Sequence, residues 1–294
     1  MAEIQYVRAS QIDEAITLLN EPGVNCRPLA GGTDLAILLR LNPTLCERVV
    51  DISLIPEMHM IQRVGDQVSI GAAATFSEVL RNPIVAETAP LLVQACSQVG
   101  AVQIRNMGTL GGNVCNAAAC ADSLPALVCL DAQAHVRTLE GEYIWPVAEL
   151  VVEPNHTLIP TGGLLVALSY QVPHPSSRSI FLKLGRRNAM AISRLTVAAL
   201  GRLDGNGRIA EARIVPGAVA PQTTRLKAAE DILLGQLPSR QLYAAAAQLV
   251  DEEVIRLAGR RWSSEFKEPA LIAMTERALA QVFAAAVHDG QEAV

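Results

Sequence analysis

Aromatic residues are the scarcest class in this chain: four Phe, four Tyr and two Trp make up 3% of its 294 residues. So few rings exclude a surface that reads nucleic acid by stacking bases. Charge excludes it independently, because 24 Lys and Arg stand against 29 Asp and Glu, for a net charge of −5 with no basic stripe. No apolar run reaches the ~20 residues that a bilayer-spanning helix needs. The opening Met1-Ala2-Glu3-Ile4-Gln5-Tyr6 has neither the basic region nor the apolar core of a signal peptide. The expectation is a cytoplasmic protein with no membrane span and no nucleic-acid partner. Cysteine is sparse as well, and six residues in a chain this size do not suggest a disulfide scaffold. The five histidines, His59, His135, His156, His174 and His288, fall at no metal-binding spacing, and no Ser-His-Asp arrangement stands out. No catalytic residue and no metal ligand is assigned.

Half of the residues are hydrophobic and 18% are charged, a balance that argues against disorder. The length suffices for two or three subdomains around substantial cores. Ser10 with Asp13 reads as a capping box, followed by Ile12, Ala15, Ile16 and Leu19 at helical spacing. A strand is expected over 26–29, and a helix over 34–40 with Thr33 as its cap. Strands are expected over 48–52, 68–72, 126–131, 134–138 and 164–172. Thr75 with Glu78 forms a second capping box, residues 89–100 read as a helix, and 103–108 as a polar loop. Pro173, Pro175 and the serines that follow mark the main domain boundary. Beyond it a hairpin turns about Asp204-Gly205-Asn206-Gly207, between strands over 195–203 and 208–219. Helices are expected over 223–235, 239–258 and 268–287.

Two glycine loops carry the chemistry: Leu29-Ala30-Gly31-Gly32-Thr33-Asp34-Leu35 and Thr109-Leu110-Gly111-Gly112-Asn113. Each sets two residues without Cβ where backbone can approach a ligand, flanked by hydroxyl or amide side chains that can bond it. The first lies between a strand and a helix, where unpaired amides point outward at an anion. One such loop reads as a plain turn; two read as a clamp on a diphosphate.

The second loop sits inside the longer run Ile104-Arg105-Asn106-Met107-Gly108-Thr109-Leu110-Gly111-Gly112-Asn113, with Asp122-Ser123 shortly after. On these motifs the chain resembles the FAD-binding subunit of the molybdenum hydroxylases, the xanthine dehydrogenase and carbon monoxide dehydrogenase family. The likeness covers essentially the whole chain. Gln103-Ile104-Arg105-Asn106 and Ser264-Glu265-Phe266 make it most similar to bacterial xanthine dehydrogenase FAD subunits.

The resemblance implies an α+β fold: a two-subdomain FAD-binding unit of the vanillyl-alcohol oxidase/PCMH type, over 1–57 and 58–176, and a smaller C-terminal α+β domain over 177–294. It implies that the loops 29–35 and 109–113 wrap the FAD diphosphate with backbone amides, with the Thr109 hydroxyl and the Asn113 amide as further donors. Val99 and Ile104 would line the flavin ring, at a place where some members of the family carry an aromatic residue. Asp122 would accept from ribose or ribityl hydroxyls, its alternative being a helix N-cap ahead of 123–130. Lys183 would stabilise negative charge on the reduced flavin, its alternative being an outward residue on an alternating strand. Leu168 joins the cofactor contacts by the same likeness.

The implied function is electron transfer within a larger enzyme. A large subunit would carry molybdopterin, a small subunit [2Fe–2S] clusters, and this FAD would take their electrons and pass them to an acceptor, NAD being the expected one. Cys115, Cys120 and Cys129 fit neither the C-x₂-C-x₂-C nor the C-x₄-C-x₂-C spacing of cluster ligands, so no iron is expected in this chain. Two alternatives stand beside this reading: a self-sufficient flavin reductase of the same cofactor fold, and a flavin-free assembly subunit whose glycine loops are turns.

Overall fold

A computed structural model describes residues 4–260 and 262–284. The chain opens with β1 (Gln5–Arg8), α1 (Ile12–Leu19), β2 (Cys26–Leu29), α2 (Leu35–Leu41) and β3 (Arg48–Asp51), which form a parallel sheet in the order β1-β3-β2. The apolar stripe of α1 is buried as its spacing requires: Ile12, Ala15, Ile16 and Leu19 all face the core. Its start departs from the expected box. The helix begins at Ile12 after Gln11, and the Ser10 amide and hydroxyl both reach Glu14, at 2.8 and 2.7 Å, instead of Asp13. β3 is central and buried along its length, so its two charged ends need partners. Arg48 pairs with Glu21 and Gln5, and Asp51 accepts from Tyr6, Arg8 and the Ser53 amide.

A 3-10 turn at Pro56–His59 leads into β4 (Ile61–Val64) and β5 (Gln67–Gly71). A run of short helices follows: α3 (Phe76–Arg81), α4 (Pro83–Thr88), α5 (Pro90–Ser97), α6 (Val102–Met107), α7 (Leu110–Asn116) and α8 (Ser123–Cys129). Then come β6 (Gln133–Arg137), β7 (Glu142–Pro146), α9 (Val147–Leu150), the small pair β8 (Val151–Glu153) and β9 (His156–Thr157), and β10 (Leu164–Gln171). β4-β5-β10-β6-β7 make one antiparallel sheet, so β10 closes the unit at its centre. The Thr75–Glu78 capping box forms with both of its reciprocal bonds.

Two expectations fail in this stretch. Residues 126–129 belong to α8, not to a strand, with Leu130 as its C-cap and Asp131 in the turn beyond; Ala-Leu-Val-Cys-Leu is an apolar run whose period cannot separate helix from strand, and here it is buried on every side. Residues 103–108 lie mostly in α6 rather than in a loop. That helix buries none of its residues and is held by packing against α3.

Pro173 and Pro175 lie between β10 and β11 (Arg178–Gly185). β11 pairs with β12 (Ser193–Leu203), which pairs with β13 (Ile209–Gly217) across the expected Asp204–Gly207 hairpin turn. α10 (Lys227–Asp231), α11 (Arg240–Ala258) and α12 (Ser264–Val282) complete the chain; α10 is much shorter than the helix expected over 223–235, and α12 starts earlier than expected. The expected end of that last helix, and His288, lie outside the described residues.

This three-stranded sheet is covered on both faces, by α5 and α8 on one side and by α12 and α10 on the other, with α11 packed on those two helices. Strand period 2 divides β12 between two cores. Ala198 and Leu200 join the large core of the preceding unit, while Leu195, Val197 and Ala199 join a second core with α11 and α12. The third unit is thereby wedded to the second through side chains, not only through the linker.

Candidate functional site

The two glycine loops, far apart in sequence, are neighbours in space. Gly31 lies so close to the end of α6 that a Cβ there would overlap the Met107 carbonyl, with Gly108 Cα 2.9 Å away. Gly111 is pressed equally hard against β5's continuation: a Cβ would lie 2.6 Å from the Ala72 oxygen. Glycine is required at both places because backbone meets backbone. Between the loops opens a cavity of about 550 Å³, in the range of small-molecule sites. Its walls come from β2 and α2, from the second loop and α7, from Val99 and Ile104, and from residues 157–165.

The loops differ in what their amides are free to do. In the second, every N–H from Leu110 to Asn113 is spent inside the protein. Leu110 donates to Ala74, Gly111 to Ala72, Gly112 to the Thr109 hydroxyl and Asn113 to the Thr109 carbonyl, all at 2.9–3.0 Å. In the first, the six successive amides of Ala30, Gly31, Gly32, Thr33, Asp34 and Leu35 donate to no described residue. All six residues line the cavity. Gly32 holds φ +69°, a left-handed turn that brings the chain into α2. The expected Thr33 cap is absent; Asp34 takes the N-cap position without a side-chain bond to the helix amides.

Backbone wrapping from the second side therefore narrows to one amide: from Leu110 to Asn113 the second loop can offer only side chains, and the Thr109 N–H alone donates to no described residue. Thr109 accepts from Gly112, which leaves its own hydroxyl hydrogen free to donate. Asn113 accepts the Ser123 hydroxyl at 2.6 Å on its side-chain oxygen, which leaves its NH₂ as a donor. Hydrogen bonds to a charged group contribute about 1.5–3 kcal/mol each. Six amides and two side chains form a donor set matched to an anion, and the set suits the diphosphate of a dinucleotide. Val99 and Ile104 supply an apolar wall in the same cavity, fit for the flat face of a ring.

The remaining expected contacts stand outside the lining. Leu110 is fully buried, as is Leu168, which pairs with Ile70 and Ala134 in the centre of the sheet; Leu164 and Leu165 reach the cavity instead. Asp122 and Lys183 are bound to each other at 2.6 Å, with both side chains nearly sealed from solvent. Ser193 donates to the second Asp122 oxygen. Burial pushes the Asp122 carboxyl above its ordinary range, against the opposing pull of Lys183 and Ser193. Lys183 is not the outward strand residue of the alternative reading, and the Asp122 carboxylate makes no side-chain cap on α8.

One stretch of the lining lay unmarked in the sequence. Thr161-Gly162-Gly163, a third glycine pair, enters the cavity with Ile159 and Pro160. Gly162 holds φ +76° and its carbonyl accepts from Asn20, at the end of α1, at 2.9 Å. The repeated Gly-Gly was the available signal; its lack of a following helix is why it reads as a turn.

The folded unit around this cavity is an FAD-binding fold with an appended flavoprotein domain. Residues 2–175 match the model of the FAD binding domain in molybdopterin dehydrogenase, and residues 180–282 that of the CO dehydrogenase flavoprotein C-terminal domain. The chain is 32% identical over 284 residues to the xanthine dehydrogenase FAD-binding subunit of Escherichia coli O157:H7, covering 96% of each. It is 30% identical over 278 residues to the 6-hydroxypseudooxynicotine dehydrogenase complex subunit alpha of Paenarthrobacter nicotinovorans, covering 94% of this chain and 93% of that one. Among solved structures it resembles a chain of carbon monoxide dehydrogenase from Hydrogenophaga pseudoflava, with a TM-score of 0.89, 26% identity and coverage of 96% and 98%. The chain belongs to the FAD-binding subunit family of the molybdenum hydroxylases and is an oxidoreductase subunit.

Proposed function

We propose that this chain binds FAD in the cavity between its glycine loops and serves, in the cytoplasm, as the electron-transfer subunit of a molybdenum hydroxylase complex. The observation that carries the reading is the row of six unspent amides, from Ala30 to Leu35, along a cavity with an apolar wall at Val99 and Ile104. In this reading the amides hold the diphosphate, the Thr109 hydroxyl and Asn113 NH₂ approach it from the facing side, and Val99 and Ile104 flank the flavin ring. FAD supplies the chemistry of accepting electrons singly and releasing them in pairs. The protein supplies binding, orientation and exclusion of water.

Within the complex, electrons would arrive from the [2Fe–2S] clusters of a small partner and originate at the molybdopterin of a large one, with NAD as the acceptor. The surface supports a life in company. α2 carries Ile37, Leu38 and Leu41 exposed and buries no residue, and α6 beside the first loop exposes Val102 and Met107. Apolar helical faces of this kind mark interaction sites. No helix among the described residues is long and apolar enough to cross a membrane.

The test begins with release of the cofactor. Denaturing the purified protein should liberate FAD in a one-to-one ratio, and the native complex should carry molybdenum and iron on separate chains. NADH formation by that complex, with its substrate in excess, checks the acceptor. A colourless chain that cannot be reconstituted with FAD would overturn the reading.

A further inference from the structure

The wall that carries Val99 is held by an unusual arrangement of cations. At the C-terminal end of α5, three successive carbonyls each bind a positively charged side chain. Lys183 donates to Gln98 O at 2.9 Å, and Arg105 Nη1 donates to both Val99 O and Gly100 O at 3.0 Å. Cations suit this place, because a helix C-terminus presents unpaired carbonyls and a partial negative charge. Gly100 turns the strap with φ +46°, and Ile104 packs 3.0 Å from where its Cβ would be. Val99 and Ile104, the two apolar residues on this side of the cavity, are therefore fixed at the two ends of one pinned segment.

The two cations come from different places. Arg105 belongs to α6, within the same unit. Lys183 comes from β11, in the C-terminal domain, and is itself held by Asp122 at the head of α8, which Ser193 of β12 holds in turn. Strand alternation sets Lys183 on the same face of β11 as the buried Phe181, toward α5. The Phe181 amide adds a bond to the side chain of Gln94 one turn up that helix, at 2.8 Å. Lys183 thus spends its charge on Asp122 and on a carbonyl.

We propose that Lys183 and Arg105 are positioning residues that clamp the 98–100 strap and so set where Val99 and Ile104 stand. Through Lys183, the docking of the C-terminal domain is written into the apolar wall of the cavity. The proposal rests on the reading that this wall faces the flavin ring, and it makes a claim that reading does not: the lysine acts through the strap, and the arginine matters as much.

The experiment uses the full chain with four variants, Lys183→Gln, Lys183→Arg, Arg105→Gln and Arg105→Lys, and Gln222→Ala as a control. Gln222 bonds the Ala148 carbonyl across the same pair of domains but touches no part of the strap. Hydrogen exchange at the amides of 99–104 is measured on the FAD-free chain. FAD affinity, the visible spectrum of the bound flavin and its midpoint potential are measured on the loaded chain. Both Gln variants should speed exchange across 99–104, weaken FAD by about tenfold or more, and alter the flavin spectrum in the same sense. Lys183→Arg should restore most of each, and the Gln222 control should leave all of them unchanged.

Wild-type exchange in both Gln variants would overturn the proposal even if the chain bound no FAD at all. A shift in potential with Lys183→Gln but none with Arg105→Gln would also overturn it, because the lysine would then act by charge on the ring. Loss of FAD from the wild-type chain, with the strap still loosened by the variants, would sink the cofactor reading and leave the clamp standing.

Discussion

The two glycine loops have nearly the same composition and opposite uses of their backbone. From Ala30 to Leu35 the amides are left open along the cavity; from Leu110 to Asn113 they are consumed by Ala72, Ala74 and Thr109. Gly31 and Gly111 are both packing glycines, each demanded by backbone on the other side. Gly32 is a conformational glycine, needed for a left-handed turn, whereas Gly112 lies inside a helix with ordinary backbone angles, where a Cβ would meet only the Thr109 side chain. A Gly-Gly pair is therefore not one device. What distinguishes a binding loop from a structural one is whether its N–H groups have acceptors at home.

Four substitutions sharpen the contrast, beginning with the most damaging. Gly31→Ala should drive the first loop off the end of α6 and separate the two walls. FAD affinity should fall at least a hundredfold, or about 2.7 kcal/mol, in a fluorescence titration. The unfolding midpoint of the FAD-free chain should move little, since the loop is on the surface. Gly111→Ala should show the reverse balance. Its Cβ meets the Ala72 backbone inside the core, so the FAD-free chain should lose about 1–3 kcal/mol in denaturant unfolding. Equal losses of stability in these two variants would erase the distinction drawn between the loops.

Gly32→Ala comes next. A left-handed L-residue costs about 1–2 kcal/mol, and the first loop should absorb it as roughly tenfold weaker FAD binding, readable by equilibrium dialysis. Gly112→Ala should be the mildest. Its Cβ would crowd only the Thr109 hydroxyl, at 2.7 Å, so the N-cap bond is at risk, worth about 1 kcal/mol. The gain of Ala over Gly in a helix offsets about as much. A calorimetric midpoint within a degree or two of wild type, with flavin retained, is expected; complete loss of the flavin would restore an amide-donating role to the second loop.

Much of this was legible in the chain itself. The Thr75–Glu78 box, the Asp204–Gly207 hairpin and the helix at 239–258 rest on local rules, and all three are present. The loops were legible as loops because paired glycines mark the backbone wherever they occur. The disposition of their amides was not, since it depends on Ala72 and Ala74, more than thirty residues upstream of the second loop. Asp122 and Lys183 could each be singled out, but not their pairing, which joins residues 61 positions apart across a domain boundary. α6 was missed because Gln103-Ile104-Arg105-Asn106 has no buried face to give it a period, and Leu164 and Leu165 could not be told from Leu168 as lining residues because the strand sequence does not say which of its leucines sits at the edge of a cavity.

By itself the sequence determined the family and marked the two glycine segments that flank the cavity, because motifs, prolines and helix caps act over a few residues of chain. Only the tertiary structure decided which amides stay open, which charges cancel, and that Arg105 and Lys183 meet on one strap. The reason is physical: a donor's availability, and a charge's net effect, depend on partners that proximity in space supplies and proximity in sequence does not.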